Sequence, residues 1–196
     1  DASRDAGPSI RIGGDRPTNI FVPYDAGTDP LPLIVLLHGH GASGLAQDAY
    51  FGFSRYTRTH GIYLIAPDGL PDATGQRSWN ATDACCGEHL VDDVAYLRGL
   101  VAETESRFAI DTTRVYFAGH SNGGFMSYRM ACDDAGEIAA IASVAGATWQ
   151  DESRCMPTEN VSVLQVSGTL DDTVPYDGTP AFPGARASVE RWATRA

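Results

Sequence analysis

Along the chain, apolar residues gather into short continuous runs separated by polar stretches rich in glycine and proline. The run Leu33-Ile34-Val35-Leu36-Leu37 has no polar break, which is the pattern of a strand buried on both faces. Residues 62–66 repeat it. Residues 18–23 read as a shorter strand, and 114–118, 138–144 and 161–166 as three more. Between these runs the spacing becomes helical. It is clearest over 90–108, where Leu90, Val94, Leu97, Val101 and Phe108 fall largely on one face. Residues 46–59, 122–132 and 187–194 are the other predicted helices, and 70–88 is mostly loop. Strands that alternate with helices predict βαβ units, hence a doubly wound, mostly parallel sheet covered on both faces. One domain over 1–196 is expected. The helical pattern Val189-Glu190-Arg191-Trp192-Ala193-Thr194 has no strand after it, so the sheet is expected to lack its C-terminal strand and helix.

Composition narrows the function classes. The 196 residues carry 14 basic and 25 acidic side chains, a net charge of -11, and every basic residue is Arg. That balance argues against a general nucleic-acid binder, which needs a basic face. The longest strongly apolar stretch, 31–37, is far short of the roughly 20 residues that span a bilayer, so no membrane partner is expected. Cys85, Cys86, Cys132 and Cys155 form an even set without a Cys-x-x-Cys pair, which suits two disulfides in a secreted protein. Adjacent Cys85 and Cys86 cannot both easily reach one partner region. One is therefore expected to join Cys132 and the other Cys155, a bond between the two neighbours being the alternative. Residues 1–8 resemble a mature N-terminus after removal of a leader. Asn80-Ala81-Thr82 and Asn160-Val161-Ser162 fit the glycosylation sequon. Asp92 and Asp93 fall in the first turn of the 90–108 helix, where negative charge meets the positive end of the helix dipole.

The suggestive chemistry lies at the carboxyl ends of the predicted strands, where such sheets bind ligands. Gly119-His120-Ser121-Asn122-Gly123 fits G-x-S-x-G, with a strand directly before it and a helix directly after. Strand, sharp turn and helix together make a nucleophile elbow, with Ser121 as nucleophile. The same residues without chemistry would be a glycine-rich turn with a capping Ser. The N–H of Asn122, just after the nucleophile, is one candidate oxyanion donor. The other comes from the loop His38-Gly39-His40-Gly41 after the 33–37 strand, with the N–H of His40 as candidate. His38 and His40 have no third ligand near them in sequence, so no metal is expected, and no cofactor is implied. Asp171 and Asp172 follow the 161–166 strand, and either is placed to orient an imidazole. No histidine follows them: His38, His40, His60, His89 and His120 all come earlier. A base is therefore expected from outside the chain, on a missing segment or a second polypeptide. Trp79, Trp149, Tyr176 and Phe182 are candidates to line an acyl cleft.

The motifs Leu37-His38-Gly39, Ser78-Trp79-Asn80, Cys85-Cys86-Gly87, Val91-Asp92-Asp93-Val94, 119–124 and Gly168-Thr169-Leu170-Asp171 with Val174-Pro175-Tyr176 carry a resemblance. In order and spacing the chain, over about residues 17–192, resembles the secreted α/β-hydrolase esterases grouped with polyhydroxybutyrate depolymerases, feruloyl esterases and acetylxylan esterases. The resemblance implies an α/β-hydrolase fold with Ser121 as nucleophile, Asp171 rather than Asp172 as the acid, and His40 as an oxyanion donor. It also implies a catalytic His well downstream of residue 196. The expected activity is ester hydrolysis through an acyl-enzyme. The favoured substrates are hydroxycinnamoyl esters of plant cell-wall polysaccharide, with polyester or acetylxylan as alternatives. A polymer-binding relative without catalysis and a serine peptidase are the competing readings.

Overall fold

The structure, a computed structural model, describes residues 10–86 and 91–194. In chain order its elements are β1 (Ile10–Ile12), β2 (Thr18–Phe21), β3 (Leu31–Leu37), α1 (Gly44–Phe51), α2 (Phe53–Thr59) and β4 (Tyr63–Ile65). They continue with β5 (Leu70–Pro71), β6 (Arg77–Ser78), α3 (Asp93–Arg107), β7 (Ile110–His120), α4 (Asn122–Asp133), β8 (Ala140–Val144), β9 (Ser162–Val166) and α5 (Ala185–Ala193). Seven strands form one sheet in the order β1-β2-β4-β3-β7-β8-β9. The five from β4 to β9 run parallel, while β2 pairs antiparallel with both β1 and β4. The doubly wound, mostly parallel sheet is as expected, and β9 is its outermost described strand on that side.

The unbroken apolar run of β3 has its explanation in the two faces of the sheet. Leu33, Val35 and Leu37 point into the larger core, with α3, α4 and Trp192 of α5. Leu36, with Leu64 and Ala118, points into a smaller cluster under Phe51 and Phe53 of α1 and α2. Successive side chains alternate between faces, so a strand covered on both sides has no position for a polar residue.

The sequence pattern misjudged several local features. The single helix expected over 46–59 is two, because Gly52 takes a left-handed φ of 71° and ends α1. Strand β1 was too short to stand out from its polar surroundings. Asp92 caps α3, accepting the Ala95 N–H at 2.9 Å, in keeping with a helix start. Asp93 does more than favour the dipole. It is buried, pairs with Arg16 Nη1 at 2.6 Å and accepts the Asn80 N–H at 2.8 Å. The sequon Asn80 is tied down, its Nδ2 donating to the Val91 carbonyl.

The preferred cysteine pairing is overturned. Cys85 bonds to its neighbour Cys86, and Cys132 bonds to Cys155. Cys132 closes α4 and Cys155 follows the 3-10 turn Glu152–Arg154, which brings their Cα atoms to 4.8 Å. That satisfies both thiols locally and leaves the adjacent pair to each other. Among the described residues no helix is long and apolar enough to cross a membrane.

Candidate active site

Strand β7 delivers Ser121 to the carboxyl edge of the sheet, and α4 begins at the next residue. Ser121 has φ 53° and ψ -121°, a sparsely populated conformation for a residue with a side chain. Three main-chain bonds hold it there. Its N–H donates to the Val144 carbonyl at 2.8 Å, and its own carbonyl accepts the N–H groups of Gly124 and Phe125 at 2.8 and 3.0 Å. The flanking glycines are steric requirements of this turn. A Cβ at Gly119 would overlap the Gly123 carbonyl, and one at Gly123 would overlap the Leu37 carbonyl of β3. The G-x-S-x-G spacing thus packs strand, helix and neighbouring strand closer than any other residue allows.

The loop after β3 lies directly against this turn. A Cβ at Gly39 would sit 3.4 Å from Ser121 Cβ and 3.3 Å from His120 Nδ1. His38 is fully buried. Its Nε2 accepts the Gly69 N–H at 2.8 Å, and its Nδ1 faces the Gly39 carbonyl at 2.7 Å, so Nδ1 carries the proton. Burial pushes the His38 pKa down and keeps the ring neutral. With both nitrogens engaged by main chain, His38 braces the loop. Among the described residues no acceptor takes the N–H of His40 or of Asn122, whereas those of Gly39, Gly41 and Ala42 are all bonded within the protein.

Asn122 also acts through its side chain. Its Oδ1 accepts the Trp79 N–H at 2.7 Å and its Nδ2 donates to the Trp79 carbonyl at 3.1 Å. Trp79 is fully buried and donates its indole N–H to the His38 carbonyl at 3.0 Å. It therefore joins the elbow to the loop after β3 from below, which corrects the expectation that it lines an acyl cleft. Trp149 and Phe182 are likewise core residues, at 6% and 7% exposure; Tyr176, at 37%, keeps a solvent-facing surface.

Asp171 lies beyond β9, at the same edge of the sheet. Its Oδ1 accepts the N–H groups of Thr173 and Val174, both at 2.9 Å. Its charge is felt at His120, whose pKa burial lowers and Asp171 raises, the burial being the larger effect. Asp172 is exposed, with a hydroxyl contact to Thr173 at 3.4 Å. Among the described residues no histidine is hydrogen-bonded to Ser121. His40 pairs with Asp72, and His60 stacks on Tyr56 with its Nδ1 against the Tyr56 carbonyl. His120 packs its ring against Phe51. His89 lies outside the described residues.

Sequence reasoning missed Arg16 and Asp72. Arg16 donates twice to the Asp68 carbonyl, pairs with Asp93 and lies over the rings of Trp79 and Tyr96, underpinning both site loops. Nothing local marks it, because all its side-chain partners are more than 50 positions away. Asp72 had a signal: Pro71-Asp72-Ala73-Thr74-Gly75 is a turn sequence, and it joins β5 to β6 in a two-stranded hairpin inside the stretch read as loop.

The chain is similar to several known proteins. Feruloyl esterase B of Piromyces equi is 29% identical over 179 residues, covering 85% of this chain and 33% of that protein. Poly(3-hydroxyalkanoate) depolymerase C of Paucimonas lemoignei is 29% identical over 174 residues, covering 82% and 39%. A solved thermostable esterase superposes with a TM-score of 0.70 at 20% identity, covering 95% of this chain and 51% of that one, a likeness of fold. The chain thus spans about half or less of the length of these relatives. Its sheet and helices are those of an α/β-hydrolase. Residues 9–195, nearly the whole chain, match the sequence profile of the Esterase family, and the chain belongs to that family.

Proposed function

We propose that this chain carries the nucleophile, the oxyanion hole and the orienting acid of a serine carboxylic-ester hydrolase. The observation that carries the reading is the backbone of Ser121, held at φ 53° by glycines that no other residue could replace. Ser121 Oγ attacks the ester carbonyl, and the N–H groups of Asn122 and His40 receive the developing oxyanion, since no described acceptor uses them. A histidine accepts the Ser121 proton and returns it to the leaving alcohol; water then releases the acid from the acyl-enzyme. The four described histidines are committed elsewhere. In the chain order nucleophile, acid, histidine the base follows Asp171, and residues 172–196 hold no histidine, so it is assigned to a further segment or a second polypeptide. Asp171, with Oδ1 fixed by two main-chain N–H groups, orients that imidazole through Oδ2. The substrate is a hydroxycinnamoyl ester of plant polysaccharide, in line with the relative named feruloyl esterase B; a polyester is the second reading, in line with the depolymerase. Secretion fits the two disulfides.

The test uses the full-length protein. A fluorophosphonate should label Ser121, and Ser121→Ala should remove ester turnover while leaving the melting temperature within a few degrees. Labelling elsewhere, or turnover by the alanine variant, sinks the assignment. Release of ferulate from methyl ferulate, set against hydroxybutyrate from its polyester and acetate from acetylxylan, decides the substrate.

A further inference from the structure

We infer that Asp72 is a positioning residue for the oxyanion loop, acting through the His40 ring. The inference rests on the esterase reading above. Residues 38–43 run from the end of β3 to α1, and tethers hold them at several points. The Gly69 N–H donates to His38, the Gly41 N–H to the Arg77 carbonyl and the Gly44 N–H to Asp68 Oδ1, each at 2.8 Å. None of these three acts on His40, the residue whose N–H is assigned to the oxyanion. Its side chain is held instead by Asp72, with Nε2 and Oδ2 at 2.8 Å.

The local backbone needs such an anchor. His40 stands between Gly39 and Gly41, and Gly41 takes φ +75°, so the chain on either side has the least intrinsic stiffness available. Asp72 is equipped to supply the stiffness. Its Oδ1 accepts the Thr74 N–H at 2.8 Å, the Thr74 hydroxyl at 2.7 Å and the Gln76 N–H at 3.0 Å, all within the hairpin turn. The carboxylate is thereby fixed to the β5–β6 hairpin, and Oδ2 points at His40. The His40 contact, foremost among these, holds the Asp72 carboxyl well below the usual carboxylate range. The same hairpin binds the next residue of the loop through Arg77, so Asp72 and Arg77 grip His40 and Gly41 side by side. An oxyanion donor works by being aimed in advance at the place where charge develops. Freeing the His40 ring releases that aim without removing the donor.

The experiment compares Asp72→Ala, His40→Ala, the double variant and Asp72→Asn in the full-length esterase. Activity is counted per site titrated by a fluorophosphonate, so that misfolded protein drops out. With a p-nitrophenyl ester, Asp72→Ala should lower kcat about 10- to 100-fold and leave KM unchanged, the scale of a misplaced rather than a missing group. An alkylboronic acid, whose tetrahedral adduct on Ser121 places an oxygen in the hole, should bind more weakly by the same factor. His40→Ala removes the same contact without touching the hairpin and should reproduce both effects, and the double variant should add nothing further. Asp72→Asn keeps an acceptor oxygen and should recover part of the loss. Unchanged kcat per titrated site, or a fall in kcat with unchanged boronate affinity, overturns the positioning role. Ser121→Ala separates this from failure of the esterase reading. If that variant turns over, the reading itself falls; if it is dead and Asp72→Ala is fully active, only the role of Asp72 falls.

Discussion

The two limbs of the site are built differently. The limb with Ser121 and the loop after β3 is held by main-chain bonds and by the buried side chains of His38 and Asn122, with no room for a methyl group at Gly119 and Gly123, above a fully buried Trp79. The limb with Asp171 follows β9, the outermost described strand of the sheet. Its acid is fixed by a local turn, through Thr173 and Val174, and by little else. The groups proposed to face a developing charge thus sit in the more tightly packed part, and the carboxylate proposed to orient a histidine sits in a short self-contained turn.

Substitutions can break or sharpen this contrast. The largest effect is expected in the loose limb and in activity alone. Asp171→Asn should lower kcat on the order of 10⁴-fold with little change in stability, whereas Asp172→Asn should leave kcat within a factor of two or so. Steady-state kinetics with a melting curve checks both, and equal losses would dissolve the distinction between the two carboxylates.

In the rigid limb the large effect should be on stability. Asp93→Asn leaves Arg16 without its buried partner and is expected to cost roughly 3–5 kcal/mol in urea unfolding. A loss under about 1 kcal/mol would show that Arg16 is not needed beneath the two loops.

A sharper comparison makes one change in both limbs. Gly123→Ala drives a methyl group into the Leu37 carbonyl and should cost about 1–3 kcal/mol or more. Gly168→Ala meets only Asp171, its Cβ at 3.7 Å and its N at 3.9 Å, both ordinary contacts, and should stay within about 0.5 kcal/mol of the parent. Equal costs in denaturant titrations would mean that the limbs do not differ in tightness.

One effect on stability runs the other way. Ser121→Gly removes the side chain from a conformation that costs it roughly 1–3 kcal/mol, and returns part of that as unfolded-chain entropy. A net gain near 1 kcal/mol is expected, with activity gone. A loss of stability would show that the elbow holds no strain.

The sequence was readable wherever one physical constraint dominates a short stretch. The buried run of β3, the elbow and the face of α3 are such places, because burial on two sides, close approach of backbones and helical period each leave a local mark. What it concealed depends on partners distant along the chain. Arg16 reads as one arginine among 14 until Asp68, Trp79, Asp93 and Tyr96 gather around it. Trp79 shows the same limit, since an aromatic residue beside a site motif can equally line a cleft or fill the core. The cysteine pairing failed because proximity in the fold, rather than spacing along the chain, brought Cys132 to Cys155.

That bond has a meaning for the unfolded chain. Cys132 lies in the last turn of the helix that starts just after Ser121, and Cys155 precedes the strand that leads to Asp171, at a sequence separation of 23. Cross-linking a loop of that length removes enough freedom from the denatured ensemble to contribute roughly 3 kcal/mol at room temperature. The denatured chain therefore cannot let the segments that carry Ser121 and Asp171 drift fully apart. When the sheet re-forms, β8 is already enclosed in a covalent ring joining the segments on either side of it, and the search that reunites the two limbs is shortened before any side chain has packed.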